Sequence, residues 1–317
     1  MSYYSDASLV LIPSGYKDQK VYSAKPTDGS GDLVFSRASD ATRVDSNGLI
    51  EKVRTNLLLQ SNSFDTTWAN FNTTDTGGQS GYDGSNDAWL LQNTAASGSI
   101  RQTITSSGVQ TYSFYAKAGT TDWVAAYVAG SIIPYCFFDL TNGVKGATQN
   151  NVINSSITAV GGGWYRIAIS FDNTTTDVRI FPAEANAVLA SQVGDNIYIQ
   201  NAQLEAGDIA TDYIATTTAA VSVGPVSGLP RLDYSGGATC PKLLLEPQAT
   251  ALNQFSEQID NAYWIKNDVT VEANTSDTLD PSGYYGADKI VETATTARHR
   301  VASGPLNLTA VNHTSSV

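Results

Sequence analysis

The sequence predicts an all-β protein built around a jelly-roll β-sandwich, and three observations point there. Apolar side chains alternate with polar ones through many short runs, turn residues separate those runs, and helical periodicity is scarce. The clearest run is Tyr165 to Phe171, where Tyr165, Ile167, Ile169 and Phe171 share one face and Arg166, Ala168 and Ser170 the other. A period of two marks a strand with one dry face. Tyr112, Phe114 and Ala116 repeat the pattern, as do Cys136, Phe138 and Leu140, then Val178 and Ile180, then Ile197 and Ile199. Trp89 to Gln92 and Ile100 to Ile104 are further strands. Gly77-Gly78, Ser97-Gly98, Asn142-Gly143, Gly161-Gly162-Gly163 and Gly194-Asp195 fall between them as turns. The best helical candidate is a short turn at Ala183 to Ala190.

The chain divides into four stretches. Residues 1–53 form an N-terminal unit in which Leu33 to Phe35 is a strand. Ala41 to Val44 and Leu49 to Val53 flank Asp45-Ser46-Asn47-Gly48, and Asn-Gly supplies the positive φ of a tight hairpin. Residues 54–218 hold the complete sandwich. Residues 219–250 are a connector with a second hairpin, in which Arg231 to Tyr234 and Lys242 to Glu246 flank Ser235-Gly236-Gly237. Residues 251–317 start a second, incomplete sandwich. Asn56 to Ser61 with Phe64-Asp65 and Trp68 is echoed by Asn253 to Gln258 with Ile259-Asp260 and Trp264, which indicates tandem modules. Half a sandwich leaves strand edges bare, so a longer chain is expected. The two hairpins read as halves of one platform, with the first sandwich inserted between them. Its ends, near Arg54 and Thr218, are then expected to lie close together.

Composition narrows the function. Of 317 residues 41% are hydrophobic and only 15% charged, against roughly 25% in ordinary soluble domains. Ser, Thr, Asn, Gln and Gly must supply the polar surface, as in secreted and virion β proteins. The formal charge is −12, from 18 basic and 30 acidic residues with no basic run, which argues against nucleic acid and against anionic membranes. Met1 to Asp6 has neither the basic nor the apolar region of a signal peptide, and no apolar run is long enough to span a bilayer. Cys136, in a strand, and Cys240, in a Gly-rich turn, are read as unpaired thiols.

Several segments resemble the fibre and spike proteins of tailed bacteriophages. Phe35 to Val44 with Asn47 to Glu51 resembles their opening module, and Pro230 to Gly237 with Cys240 to Gln248 the element that follows. Trp164-Tyr165-Arg166, Ala202 to Gly207 and Ala210 to Ile214 resemble the closing strands of their carbohydrate-binding-module-like, lectin-like jelly rolls. The usual Arg-Thr-Asn after the Glu-Pro-Gln element is replaced by Ala249-Thr250-Ala251-Leu252-Asn253. The resemblance implies a homotrimeric head fibre or tail fibre on the virion surface. Its N-terminal unit would be held by capsid or tail proteins, and its outer domains would be free to touch host glycans.

Candidate chemistry is sparse, so no enzyme is expected. A Ser-His-Asp triad needs a histidine base, and the only histidines, His299 and His313, have no nucleophile motif near them. Glycoside hydrolysis needs two carboxylates across a cleft. Asp83, Asp87, Asp122, Asp177 and Asp195 are instead assigned to turns, where the side chain bonds its own backbone. No cofactor is expected. Asp83, Asn86 and Asp87 form an acidic turn that is the candidate structural calcium site, although the spacing is not that of an EF-hand. Trp68 and Trp164 are assigned to packing. Trp123, which follows a Gly-Thr-Thr-Asp turn, with Tyr127 and Trp89, is the set proposed for glycan contact. Tyr135 is a further aromatic candidate.

Overall fold

A computed structural model describes residues 3–17, 19–246 and 251–304. His313 and the Pro247 to Thr250 stretch lie outside the described residues. The described chain is almost wholly β, and no helix is long and apolar enough to cross a membrane. It forms two compact units, Met1–Lys52 with Ser227–Val317, and Val53–Val226.

The first unit opens with one helical turn, α1 (Tyr3–Asp6), and a three-stranded sheet of β1 (Val10–Lys17), β2 (Lys20–Lys25) and β3 (Leu33–Val34). β4 (Thr42–Val44) and β5 (Ile50–Lys52) form the first hairpin. Its turn differs from the expected Asn-Gly type. Only Gly48 takes a positive φ, while the Asp45 carboxylate accepts from the N–H groups of Asn47 (2.8 Å) and Leu49 (2.9 Å). The longer loop lets the aspartate side chain close the turn, so Asn47 needs no positive φ.

The second unit runs through β6 (Arg54–Asn56), β7 (Ala69–Phe71), β8 (Thr73–Gln79), β9 (Ala88–Asn93) and β10 (Ser99–Ala118). It continues through β11 (Trp123–Gly130), β12 (Tyr135–Asp139), β13 (Val144–Gln149), β14 (Val152–Gly161), β15 (Trp164–Ala183), β16 (Asn196–Ala206) and β17 (Val221–Val223). β10 and β15 are 20 residues each and pair antiparallel along their length. They change neighbours half-way. Around Tyr112 and Ile169 they are flanked by β16 and β14; around Ile100 and Ile180 they are flanked by β7 and β11. A register shift between Thr103 and Ser106 marks the crossing. Such irregularities let one strand turn a corner and serve two sheets. One layer is therefore β14, β15, β10, β16, β9 and β8, and the other β13, β12, β11, β15, β10 and β7.

The core lies between these layers. Tyr112, Phe114, Ile167, Ile169 and Phe171 come from the first, and Ile100, Val124, Phe138, Val178 and Ile180 from the second. The alternation that predicted the strands is what fills it. β6 pairs with β17, Val221 opposite Asn56 and Val223 opposite Arg54, so the two ends of this unit meet. Ala183 to Ala190 holds no helix: Glu184 donates to Val188 O (3.1 Å) and Val188 to Ala185 O (3.0 Å), a β-turn that extends the end of β15.

The rest of the first unit comprises β18 (Leu232–Asp233), β19 (Lys242–Leu243), β20 (Ile265–Asn267), β21 (Val269–Glu272), β22 (Lys289–Glu292) and β23 (Arg300–Ala302). β20 pairs with β23 and β21 with β22, the arrangement that β7 with β10 and β8 with β9 make in the sandwich. The local bonding is repeated as well. The indole of Trp68 donates to Gln60 O (3.2 Å) and that of Trp264 to Phe255 O (2.9 Å). Asn72 and Asp268 both take a positive φ, and their carbonyls accept from Thr94 (2.9 Å) and Thr293 (3.0 Å). Trp68 is buried, whereas Trp264 is half-buried.

Candidate functional site: an aromatic sheet face

A sandwich has two outer faces, and here they differ. On the layer built around β16, the outer side chains are packed by the chain itself. Tyr115 stacks on Tyr82 with centroids 3.9 Å apart, and Tyr198 and Tyr213 pack on the same cluster with Trp164. Glu205 and Gln203 are buried there. Glu205 accepts from Thr211 N (2.9 Å) and Gln203 Nε2 (2.8 Å), which ties down the segment that follows β16. Burial pushes the Tyr213 phenol up to about 12. This face holds structure together.

The opposite face, on β11, β12 and β15, carries a second aromatic set. Ala125, Phe137, Phe181 and Ala183 form its buried floor. Above them Trp123, Tyr127 and Tyr135 stay half-buried. Register places them together, because Tyr127 is opposite Tyr135 on one side and Arg179 on the other. Their rings are 5.7 Å apart and inclined by 28°, and Tyr127 also leans on Phe181 at 5.4 Å. The Arg179 guanidinium lies 5.1 Å from the Tyr127 centroid, within cation–π range. Asp177 holds it there, with Nε to Oδ1 at 2.5 Å and Nη2 to Oδ2 at 3.2 Å. Burial pushes the Tyr127 phenol up, opposed by the nearby Arg179 charge. Phe71 lies on the neighbouring edge strand and is 56% exposed, a large apolar ring left in solvent.

Trp123 is pinned rather than free. A β-carbon at Gly146 would come within 2.6 Å of its ring, so glycine is needed for β13 to pass this close. Asn186 accepts from Ala147 N at 2.6 Å and closes that end. Tyr127 and Tyr135 form the open part of the face. Such rings offer a flat apolar surface with a polar tip, the arrangement that matches the apolar face and hydroxyl rim of a sugar.

Trp89, grouped with Trp123 and Tyr127 from the sequence, lies apart from them. It is on β9 opposite Ile199, packs towards the core beside Phe64, and donates to Asn62 O at 2.9 Å. Trp68 is in the core, and Trp164 is on the packed outer face. Asp177 is not a turn residue: it lies inside β15 and pairs with Arg179. The sequence pattern missed it because the strand continues through the polar Asp172 to Thr176 stretch where it changes sheets.

The acidic turn is a hydrogen-bonded loop. Ser85 donates through its hydroxyl to Asp83 (2.6 Å) and to Asp87, and the buried Gln200 amide donates to Asp87 at 2.6 Å. The Ser85 hydroxyl chiefly holds the Asp83 carboxyl below its ordinary range. Asn86 is exposed on the same loop. A calcium ion needs six to eight oxygens. Two carboxylates already engaged by donors fit an Asx turn better. Among the described residues no three His, Cys, Asp or Glu side chains gather as a metal site. Cys136 is buried and Cys240 exposed, both free, and burial raises the Cys136 thiol.

In the first unit a cleft of about 560 Å³ is lined by Phe35, Arg37, Leu229, Arg231, Leu244 and Glu246 among others. Its arginines are spent on internal contacts: Arg37 donates to Leu229 O and Ser39 O, and Arg231 to Thr42 O and Glu246.

No known protein family matches this sequence, and no curated protein does. Among solved structures, the chain is similar to the enzymatically active domain of bacteriophage CBA120 tailspike protein 4. The identity is 16% and the TM-score 0.28, over 47% of this chain and 21% of that one. The match spans about a fifth of that chain's length.

Proposed function

We propose that this chain is a structural, non-enzymatic component of a bacteriophage fibre, in which one unit is an assembly element and the sandwich displays a sugar-binding face. The observation that supports it most is the contrast between the two units. Among the described residues, Val21 and Leu232 are the only buried hydrophobic side chains of the first unit, while Leu9, Ile12, Val34, Leu245 and Ile290 are each more than half exposed. A segment with so little interior gains its stability by covering that surface with other chains. The sandwich needs no such help, since its core is complete.

Self-association through the first unit fits the fibre and spike resemblance of Phe35 to Glu51 and Pro230 to Gln248, and a trimer is the expected assembly. The sandwich then presents its Tyr127 and Tyr135 face. The two carboxylates on that face are engaged, Asp177 by Arg179 and Asp139 by Thr141 N and Asn142, so the arrangement binds rather than hydrolyses. Sedimentation of the full chain tests the assembly part. The expected species has three times the mass of one chain, and a monomer at all concentrations contradicts it. Labelling of phage particles with an antibody to this chain tests the location, with decoration of fibres expected and bare particles contrary.

A further inference from the structure

We infer that the ligand of the aromatic face is an acidic polysaccharide, whose uronate carboxylate is held by Arg101 beside Arg179. This rests on the sugar-binding reading above and names the class of sugar.

The argument starts from register. Arg101 on β10 is directly opposite Arg179 on β15, which is opposite Tyr127 on β11, which is opposite Tyr135 on β12. Residues in one row of a sheet share a face. The row therefore reads Arg101, Arg179, Tyr127, Tyr135, two cations leading into two stacked rings. Like charges directly opposite each other weaken a sheet. This one stands in a chain of net charge −12 with only 18 basic residues.

Asp177 balances one of the two charges. It is the cross-strand partner of Thr103, one position along the same face, and both of its oxygens are occupied by Arg179. The Arg101 side chain is exposed and makes no hydrogen bond or ion pair with any described residue. Its other strand neighbour is Ala69, and the next outward residue along β7 is Phe71, which brings no charge. The far end of the row is Gln149, also neutral. Asp139, opposite Trp123 on the same face, is buried and accepts from Thr141 N and Asn142, so the cation left without a carboxylate is Arg101, at the edge of the aromatic platform.

Two strand spacings, roughly 10 Å, separate the backbone at Tyr127 from that at Arg101. A pyranose seated on Tyr127 and Tyr135 directs an exocyclic carboxylate, its own or that of the next residue, towards the arginines. A planar guanidinium matches a carboxylate through two parallel hydrogen bonds, which a neutral hydroxymethyl group cannot reproduce. Charge complementarity therefore favours a uronate over a neutral hexose.

The test uses the full chain and a panel of uronate oligosaccharides (oligogalacturonate, alginate oligomers and hyaluronate oligomers), each with its carboxyl-methylated form, measured by titration calorimetry. At least one acid form is expected to bind, with its methyl ester weaker by about tenfold. Arg101→Ala should remove that preference and the salt dependence without lowering the melting temperature. Arg101→Lys should restore part of it. Binding of ester and acid with equal affinity, or an Arg101→Ala variant that keeps the preference, overturns the uronate inference alone. Absence of binding to every acid and ester, by a chain whose melting curve is intact, overturns it together with the sugar-binding reading.

Discussion

Arg37 and Arg231 make reciprocal ties between two hairpins far apart in sequence. Arg37 donates to Leu229 O at 2.8 and 3.3 Å, and Arg231 donates to Thr42 O at 2.6 and 2.9 Å. Each arginine thus bonds to the backbone on the other's side. Tyr234 N to Val44 O (3.0 Å) and Gly228 N to Arg37 O (2.9 Å) complete the platform. With almost no buried apolar side chain there, these polar ties carry much of its order. Arg231→Ala is expected to lower the stability of the first unit by about 1–3 kcal/mol, the usual range for hydrogen bonds from a charged group. Denaturant unfolding followed by proteolysis of each unit checks this, with the sandwich transition unmoved.

Phe137 and Phe138 are neighbours in sequence with opposite duties. Both are buried, Phe138 in the core between the layers and Phe137 in the floor beneath Tyr135. Phe138→Ala should destabilise the sandwich by about 3–5 kcal/mol. Phe137→Ala should cost less, because its site borders solvent and can relax, but it should weaken sugar binding by removing the support of Tyr135. Paired unfolding curves and titrations separate the two. A variant Phe137→Ala that binds as the parent does would show that the floor does not position the rings.

Asp233 accepts hydrogen bonds from Ser235 and from Val44 N at 2.8 Å, and these hold its carboxyl below the usual range. A carboxylate with a depressed folded value stabilises above its unfolded value of about 3.9 and ceases to as pH falls through the lower folded one. The hairpin platform should therefore loosen in acid, over roughly pH 4 and below. Asp233→Asn should flatten that part of the profile, measured as proteolytic release of the first unit against pH.

His299 behaves in the other direction. Nδ1 lies 2.7 Å from Asp268 O and Nε2 3.0 Å from Thr295 O. Two carbonyl acceptors suit the imidazolium, which donates from both nitrogens. The Asp268 carbonyl is the main cause of a raised pKa, partly opposed by desolvation. The stabilisation is present below the ordinary value of about 6.5 and is lost as pH rises through the higher folded value. An NMR titration of the His313→Gln variant, which leaves one imidazole signal, should give a midpoint above about 6.5. A midpoint at or below it contradicts the double acceptor geometry.

The core was legible because every strand that packs into it alternates. Ile167, Ile169, Phe114 and Phe138 announce their faces without knowledge of any partner. The Trp68 and Trp264 segments were legible as repeats because one local hydrogen-bond pattern needs the same few residues. β1 was not, since Pro13 and Gly15 interrupt its pattern. Half of the candidate site was readable: Trp123, Tyr127 and Tyr135 are aromatic in strand sequences. Arg101 and Arg179 were not, because their proximity depends on a pairing 78 residues apart that only the crossing of β10 and β15 sets. Trp89 differs for the same reason: its strand belongs to the other layer.

The central claim is that one unit carries its own interior and the other borrows its stability from an assembly. Hydrogen exchange on the full chain, followed by mass spectrometry across a dilution series, addresses it most directly. The account predicts slow, concentration-independent exchange in β10 and β15, and protection of Val10–Lys25 and Thr42–Lys52 that appears only as the chains associate. Strong protection of those two segments in the dilute monomer would contradict it.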